Sequence, residues 1–260
     1  MRIRPKNNKE IARMREAGRL VAECFALLEE SVLPGVPLTV LDKIVEDHIA
    51  EQGAQPLYKG YKGSSDEHPP FPGVICASVN HEICHGLPDA RVLQEGDVIG
   101  VDIGLRYRGY CGDACYTFAV GEVSESTQRL MEIGKEALRI GIEAAQPGAY
   151  LYDIGRAIND YTDSQHVSVV HEWGGHGIGR ALHEPLSVSH IRQPTRGPLL
   201  RPGMTFTIEP MINAGTHEWF MLNDGWTVVT ADGKLSVQYE HTIVVTEDGP
   251  EILTKLRSAS

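Results

Sequence analysis

Four acidic side chains and one histidine carry the strongest chemical signal in this sequence: Asp102, Asp113, Glu209, Glu240 and His176. The stretch from Asp97 to Val120 alternates apolar and β-branched residues enough to read as two strands, with Arg106-Tyr107-Arg108-Gly109 as the turn between them. A turn centred between Tyr107 and Arg108 gives cross-strand partners whose numbers sum to 215, and Asp102 and Asp113 satisfy that sum. Directly opposed residues have Cβ atoms roughly 4.5–5.5 Å apart, so two negative charges there call for a proton or a cation between them. Aspartate is also a poor strand former, and residues that break a local pattern mark functional sites. For a lone acidic pair the simpler readings are that one carboxylate faces solvent or that the two share a proton.

The second half of the chain shifts that balance. Thr205-Phe206-Thr207-Ile208-Glu209-Pro210 and Val237-Gln238-Tyr239-Glu240-His241-Thr242-Ile243 are strand-like segments that each carry an isolated glutamate, and Asp232-Gly233 is a good hairpin turn ahead of Glu240. His176 lies in the glycine-rich run GGHGIGR. Hard oxygen donors with one imidazole suit a pair of divalent ions such as manganese, iron, cobalt or zinc, whereas a structural zinc would favour thiolates. Two metals about 3.5–4 Å apart can bridge a water, lower its pKa and polarise a carbonyl, which describes amide hydrolysis. A carboxylate at the rim of such a site could carry the proton from water to the leaving nitrogen.

Helices must hold these strands in place. Ile11, Met14, Ala17, Leu20, Val21, Cys24, Phe25 and Leu28 recur at helical spacing behind the candidate caps Asn7 and Asn8. Pro34-Gly35 stops that helix, and Leu38, Leu41, Ile44, Val45 and Ile49 outline a second one ending near Gly53. The pattern returns with a helix around Thr127 to Ala145, the stop Pro147-Gly148, and Leu151, Ile154 and Ile158. Pro34, Leu38, Leu41 and Val45 correspond to Pro147, Leu151, Ile154 and Ile158, always 113 apart. LQEGDVIGVD resembles LRPGMTFTIE, which places Asp102 against Glu209 at an interval of 107, and CHGL resembles GHGI. Three such matches in one order predict two related halves, approximately 10–120 and 125–250, of a single catalytic domain spanning 1–260.

Composition narrows the setting. With 42% hydrophobic and 23% charged residues, the 260-residue chain has apolar material for a substantial core. Its five cysteines are scattered without a Cys-x-x-Cys pair, which points away from a disulfide framework and towards a reducing cytoplasm. No apolar run resembles a signal peptide or a membrane span. A net charge of −11 argues against DNA or other nucleic acid as a partner.

The motifs, in order, resemble the type I methionine aminopeptidases along nearly the whole chain: RMREAGRLVAE, CHGLPD around His85, VDIG with CGDACYTF, GHGIGR followed by His183, PGMTFTIEPMINAG, DGWTV and QYEHTIVV. The resemblance implies the α+β pita-bread fold, with two pseudo-twofold-related halves of antiparallel sheet covered by helices. It implies that Asp102 chelates one ion, that His176 and Glu209 bind the other, and that Asp113 and Glu240 bridge the pair. Glu209 would also be the proton shuttle. His85 would contact the substrate near the scissile amide, and His183 would stabilise the tetrahedral intermediate. Tyr61, Phe71, Cys76, Trp226 and Leu182 would line a methionine pocket, since aromatic and soft apolar walls hold a thioether well; taken singly, each also fits ordinary core packing. The substrates would be N-termini of nascent polypeptides whose second residue is small. Transient ribosome contact and a monomeric state are further expectations.

Several positions depart from the family pattern. Leu182 stands where an aromatic is common, Cys111 and Gly104 replace the usual histidine and threonine of the first-half hairpin, and GSSDEHPP at 63–70 looks like an insertion beside the pocket. No zinc-finger-like extension is read ahead of the first helix, and the 25 residues between His183 and Glu209 leave no room for the helical insertion of the type II enzymes. His48, His68, His166, His190 and His217 read as incidental.

Rival readings have weaker support. The dinucleotide fingerprint fails in GGHGIGR because Arg180 stands at its third glycine position. No Gly-x-Ser-x-Gly is present, and Cys84 beside His85 lacks a wider nucleophile motif. Within the implied fold, an X-Pro aminopeptidase or prolidase-type peptidase would carry an extra N-terminal domain, and a non-catalytic module that binds nascent chains or ribosomes would be expected to have lost ligands.

Overall fold

Apolar residues at helical spacing become the buried faces of four helices in the computed structural model, which describes residues 4–63 and 69–255. The first, α1 (Asn8–Glu29), starts on a capping box in which the Asn7 side chain accepts from the backbone of Lys9 and Glu10 while Glu10 accepts from the Asn7 backbone. It buries Met14, Ala17, Leu20, Val21, Cys24 and Leu28. After the Pro34-Gly35 stop, α2 (Leu38–Glu51) buries Leu38, Leu41, Val45 and Ile49. Strands follow: β1 (Gln55–Pro56), β2 (Ile75–Val79), β3 (Glu82–Cys84), β4 (Val98–Tyr107) and β5 (Tyr110–Ala119). The order of two helices and then strands repeats with α3 (Glu125–Ala144), α4 (Leu151–Gln165), β6 (Ser168–Val169), β7 (Gly175–Gly177), β8 (Glu184–Val188), β9 (Thr205–Ile208) and β10 (Met211–Asn213). The last strands of the described residues are β11 (Trp219–Met221), β12 (Val228–Thr230), β13 (Ser236–Gln238), β14 (His241–Thr246) and β15 (Gly249–Ile252).

All strand pairings among the described residues are antiparallel. In the first half β4 is flanked by β2 and β5, and in the second the order is β15-β14-β9-β7-β8. Helices α1 and α2 pack on the first sheet, while α3 and α4 cover the second-half strands. Each half has its own apolar cluster: Leu20, Leu41, Val101 and Ala114 belong to one, and Leu138, Ile154, Phe206 and Ile243 to the other. This is an α+β architecture of antiparallel sheet with helices on its outer faces.

Two local expectations are corrected. The β4–β5 turn is the two-residue Arg108-Gly109, with Tyr107 paired to Tyr110, rather than a turn centred before Arg108. Both turn residues have positive φ, 48° and 80°, the geometry of a tight hairpin turn that follows strand twist. Asp102 therefore faces Cys115 and Asp113 faces Gly104, so the aspartates are diagonal rather than directly opposed. Asp232-Gly233 does turn the chain, but β12 joins β3 and β11 while β13 joins β10, so no hairpin forms there. Residues 64–68, the centre of the expected insertion and the place of His68, lie outside the described residues.

The halves meet where β5 approaches β13 and β14. Thr117 Oγ1 donates to the Gln238 carbonyl at 2.8 Å and accepts from the Gln238 amide at 3.1 Å. Thr242 Oγ1 repeats this pattern with Asp113, donating at 2.8 Å and accepting at 3.2 Å. Between these two hydroxyls the Glu240 amide donates to the Cys115 carbonyl at 2.8 Å, so the backbones of Asp113 and Glu240 are each tied to the opposite half. No helix among the described residues is long and apolar enough to cross a membrane.

Candidate metal centre

Glu209 and Glu240 occupy interruptions in the sheets, not strand interiors as expected. β9 ends at Ile208, one residue before Glu209, and β14 begins at His241, one residue after Glu240. Because His241 pairs with Ile208, the two glutamates leave adjacent ends of the same ladder. His176 is the middle residue of β7, where its amide donates to Thr207 Oγ1 at 2.9 Å. These breaks free side chains from the inside–outside alternation of a continuous strand.

All five residues line one cavity of about 280 Å³. Asp113, His176 and Glu240 each present a donor atom within 4.8 Å of the others. His176 Nε2 is 3.5 Å from Asp113 Oδ2 and 3.7 Å from Glu209 Oε1. Glu209 is held on both oxygens, by Thr207 Oγ1 at 2.6 Å and by Gln238 Nε2 at 3.4 Å. Its backbone amide donates to Nε2 of His190 at 3.1 Å. Glu240 Oε1 is buried and has no hydrogen-bond partner among the described residues.

Four carboxyl groups in so enclosed a space cannot all ionise without compensation. Burial, then the nearby Asp113 charge, raises Asp102 well above the usual carboxylate range although Tyr58 donates a hydrogen bond to it. Burial raises Glu240 as well, reinforced by Asp113, Glu209 and Asp102. Glu209 is pushed up to about 7, chiefly by burial. Burial opposes charge on His176, but hydrogen bonding to Asp113 and the neighbouring Glu209 charge outweigh it and raise this imidazole to about 9. Oxygen donors, one imidazole and an orphaned buried carboxylate oxygen match the donor set of a hard or borderline divalent cation.

Aromatic and soft side chains close one side of the cavity. Phe71 and Trp226 meet edge to face at 5.3 Å, and the Trp226 indole donates to the Pro69 carbonyl at 2.9 Å. Tyr61, Cys76 and Leu182 line the same space. The His183 ring lies 4.3 Å from that of His176, with Tyr61 Oη 3.4 Å from its Nδ1. His85, at a left-handed φ of 57°, packs edge-on to Trp173 at 5.1 Å. Burial and the His183 ring together lower His85 to about 4, leaving it neutral near pH 7.

Each candidate catalytic, ligating and pocket residue named from the sequence thus borders this one cavity. Tyr58, Trp173, Met211 and Met221, which no motif in the sequence marks, also line it, and His190, expected to be incidental, supports the Glu209 backbone. The other incidental histidines stay outside it: His48 faces Glu23 at 3.4 Å, His166 caps α4, and His217 stacks on His171 at 3.8 Å. Cys111 is buried against the Arg180 loop, its amide donating to the Gly179 carbonyl at 2.7 Å.

Comparison with known proteins gives a consistent answer. Residues 12–247 match metallopeptidase family M24. The chain is 45% identical to methionine aminopeptidase 1 of Bacillus subtilis over 251 residues, 96% of this chain and 98% of that protein. The crystal structure of methionine aminopeptidase from Rickettsia prowazekii superposes with a TM-score of 0.93 at 40% identity, covering 97% of this chain and 100% of that one. Xaa-Pro dipeptidase from Bacillus anthracis, at 23% identity and a TM-score of 0.75, shares the fold over 98% of this chain and 63% of its own.

Proposed function

The chain belongs to metallopeptidase family M24, among its methionine aminopeptidases of pita-bread fold, and from that premise we propose that Asp102, Asp113, His176, Glu209 and Glu240 hold two divalent cations for removal of N-terminal methionine. The observation that carries this reading is the convergence of buried Asp113 and Glu240 with half-buried His176, with one Glu240 oxygen left without a partner among the described residues. Asp102 would complete one ion's donors and Glu209 the other's, with Asp113 and Glu240 shared. Cobalt, manganese, iron and zinc all suit such donors. When bound, the ions would supply Lewis-acid polarisation of the scissile carbonyl and acidify an attacking water.

The chain's own residues account for the remaining work. Glu209, held by Thr207 and Gln238 at the cavity wall, takes a proton from water and returns one to the leaving amine. His183 donates a hydrogen bond to the oxygen that gains charge in the tetrahedral intermediate, and neutral His85 orients the scissile amide. Tyr61, Phe71, Cys76 and Trp226 enclose the methionine side chain, with Leu182 closing the wall.

On the same reading, residues 10–120 and 125–250 are the halves of one catalytic domain spanning 1–260, and each supplies ligands. The substrates are the N-termini of nascent polypeptides with a small second residue, met in the cytoplasm by a monomer that touches the ribosome transiently. Purified protein with manganese or cobalt should release methionine from peptides beginning Met-Ala or Met-Gly. Chelation should abolish release and added metal restore it. Cleavage of X-Pro peptides in place of these would make the enzyme prolidase-like, and binding without cleavage would make it a non-catalytic module.

A further inference from the structure

Tyr58 follows the edge strand β1 and is buried, with its hydroxyl directed into the acidic cluster. The hydroxyl lies 2.6 Å from Asp102 Oδ1 and 2.5 Å from Asp113 Oδ1. The β4–β5 register explains why it can reach both. The aspartates are diagonal, and the residue directly opposite Asp113 is Gly104. A Cβ at position 104 would lie 2.8 Å from Tyr58 Cε1, 2.9 Å from Cζ and 3.0 Å from the hydroxyl oxygen. The missing side chain is therefore the space that the phenol fills. The ring meets Phe71 edge-on at 6.4 Å, and Phe71 in turn meets Trp226.

We propose that Tyr58 is a positioning residue of the metal centre, admitted by Gly104, whose hydroxyl fixes the Oδ1 atoms of Asp102 and Asp113. This leaves Asp113 Oδ2, 3.5 Å from His176 Nε2, turned towards the other donors. The hydroxyl has one proton to share between two carboxylates, so it sets their spacing while keeping its own oxygen as the common hydrogen-bonding centre. Partners that orient ligands in this way set metal affinity as well as geometry.

The proposal rests on the reading that these aspartates ligate cations, and the test separates the two. Wild type, Tyr58→Phe and Gly104→Ala are compared by Mn²⁺ titration under chelator competition, by the visible spectrum of the Co²⁺-loaded protein, and by kcat and KM on a Met-Ala peptide. Tyr58→Phe keeps the ring and removes only the hydroxyl. It is expected to weaken Mn²⁺ binding about 10-fold, alter the Co²⁺ bands and lower kcat more than KM, with the metal-free melting curve little changed. Gly104→Ala displaces the ring and is expected to weaken binding similarly, adding less on the Tyr58→Phe background than alone, as coupled positions do. Wild-type affinity and an unchanged Co²⁺ spectrum in Tyr58→Phe would overturn the positioning role. A wild-type protein that takes up no divalent cation would overturn the metal-centre reading, and this proposal with it.

Discussion

Glu209 is held at three points: one oxygen by Thr207, the other by Gln238 and the backbone amide by His190. Those contacts fix its direction, and burial keeps its carboxyl near 7. Replacing it with glutamine preserves the shape and removes the proton exchange. Glu209→Gln is expected to lower turnover by about 10²–10⁴-fold, the usual contribution of a positioned acid or base, and to weaken one bound metal. Unchanged kcat with unchanged metal content would take Glu209 out of the mechanism. Glu209 stood out in the sequence because it is the lone charge in an apolar run, TFTIEPM. His190 and Tyr58 did not. They reach the site from 19 and 44 residues away in sequence, in segments whose own pattern carries no chemical signal.

The helices were legible because their apolar faces and stops are local: α1, α2 and α3 begin and end within a few residues of the expected places, and α4 contains Leu151, Ile154 and Ile158 as expected. Register was harder to read. Arg108 takes a positive φ that nothing in Arg-Tyr-Arg-Gly announces, and this moves Asp113 opposite Gly104. Helix α1 also depends on close backbone approach to β5: a Cβ at Gly112 would lie 2.9 Å from the Gly18 amide nitrogen and 3.0 Å from the Ala17 carbonyl carbon. Gly112→Ala has no flexible side chain to push aside and should cost about 1–3 kcal/mol, read as a lowered thermal midpoint. At the start of α1, Glu10 accepts from the Asn7 amide at 3.0 Å and from Tyr110 at 2.8 Å, and it pairs with Arg4. The Asn7 hydrogen bond first, then those of Tyr110 and Arg4, outweigh burial and lower its pKa from 4.5 to about 2. A carboxyl depressed in the folded state stabilises fully above its unfolded value and loses that contribution as pH falls through about 2. Wild type should therefore melt higher than Glu10→Gln near pH 5, with the gap closing towards pH 2; a gap that does not change with pH would contradict this.

At the scale of the molecule, the repeated order of two helices followed by strands brings acidic residues from both halves to one seam. Thr117 and Thr242 stitch that seam with matched pairs of hydrogen bonds. The spacing of Asp102 against Glu209 and the helical repeat make this legible in the sequence, whereas the seam itself is not, because it is built from side-chain hydroxyls rather than a strand ladder. On the proposed function, two cations occupy the space these residues enclose. The most direct measurement is anomalous diffraction from crystals of the manganese-loaded protein. We expect two peaks per chain about 3.5–4 Å apart, contacted by Asp102, Asp113, His176, Glu209 and Glu240. Fully loaded crystals with no peak among these side chains, or with manganese held by other residues, would contradict it.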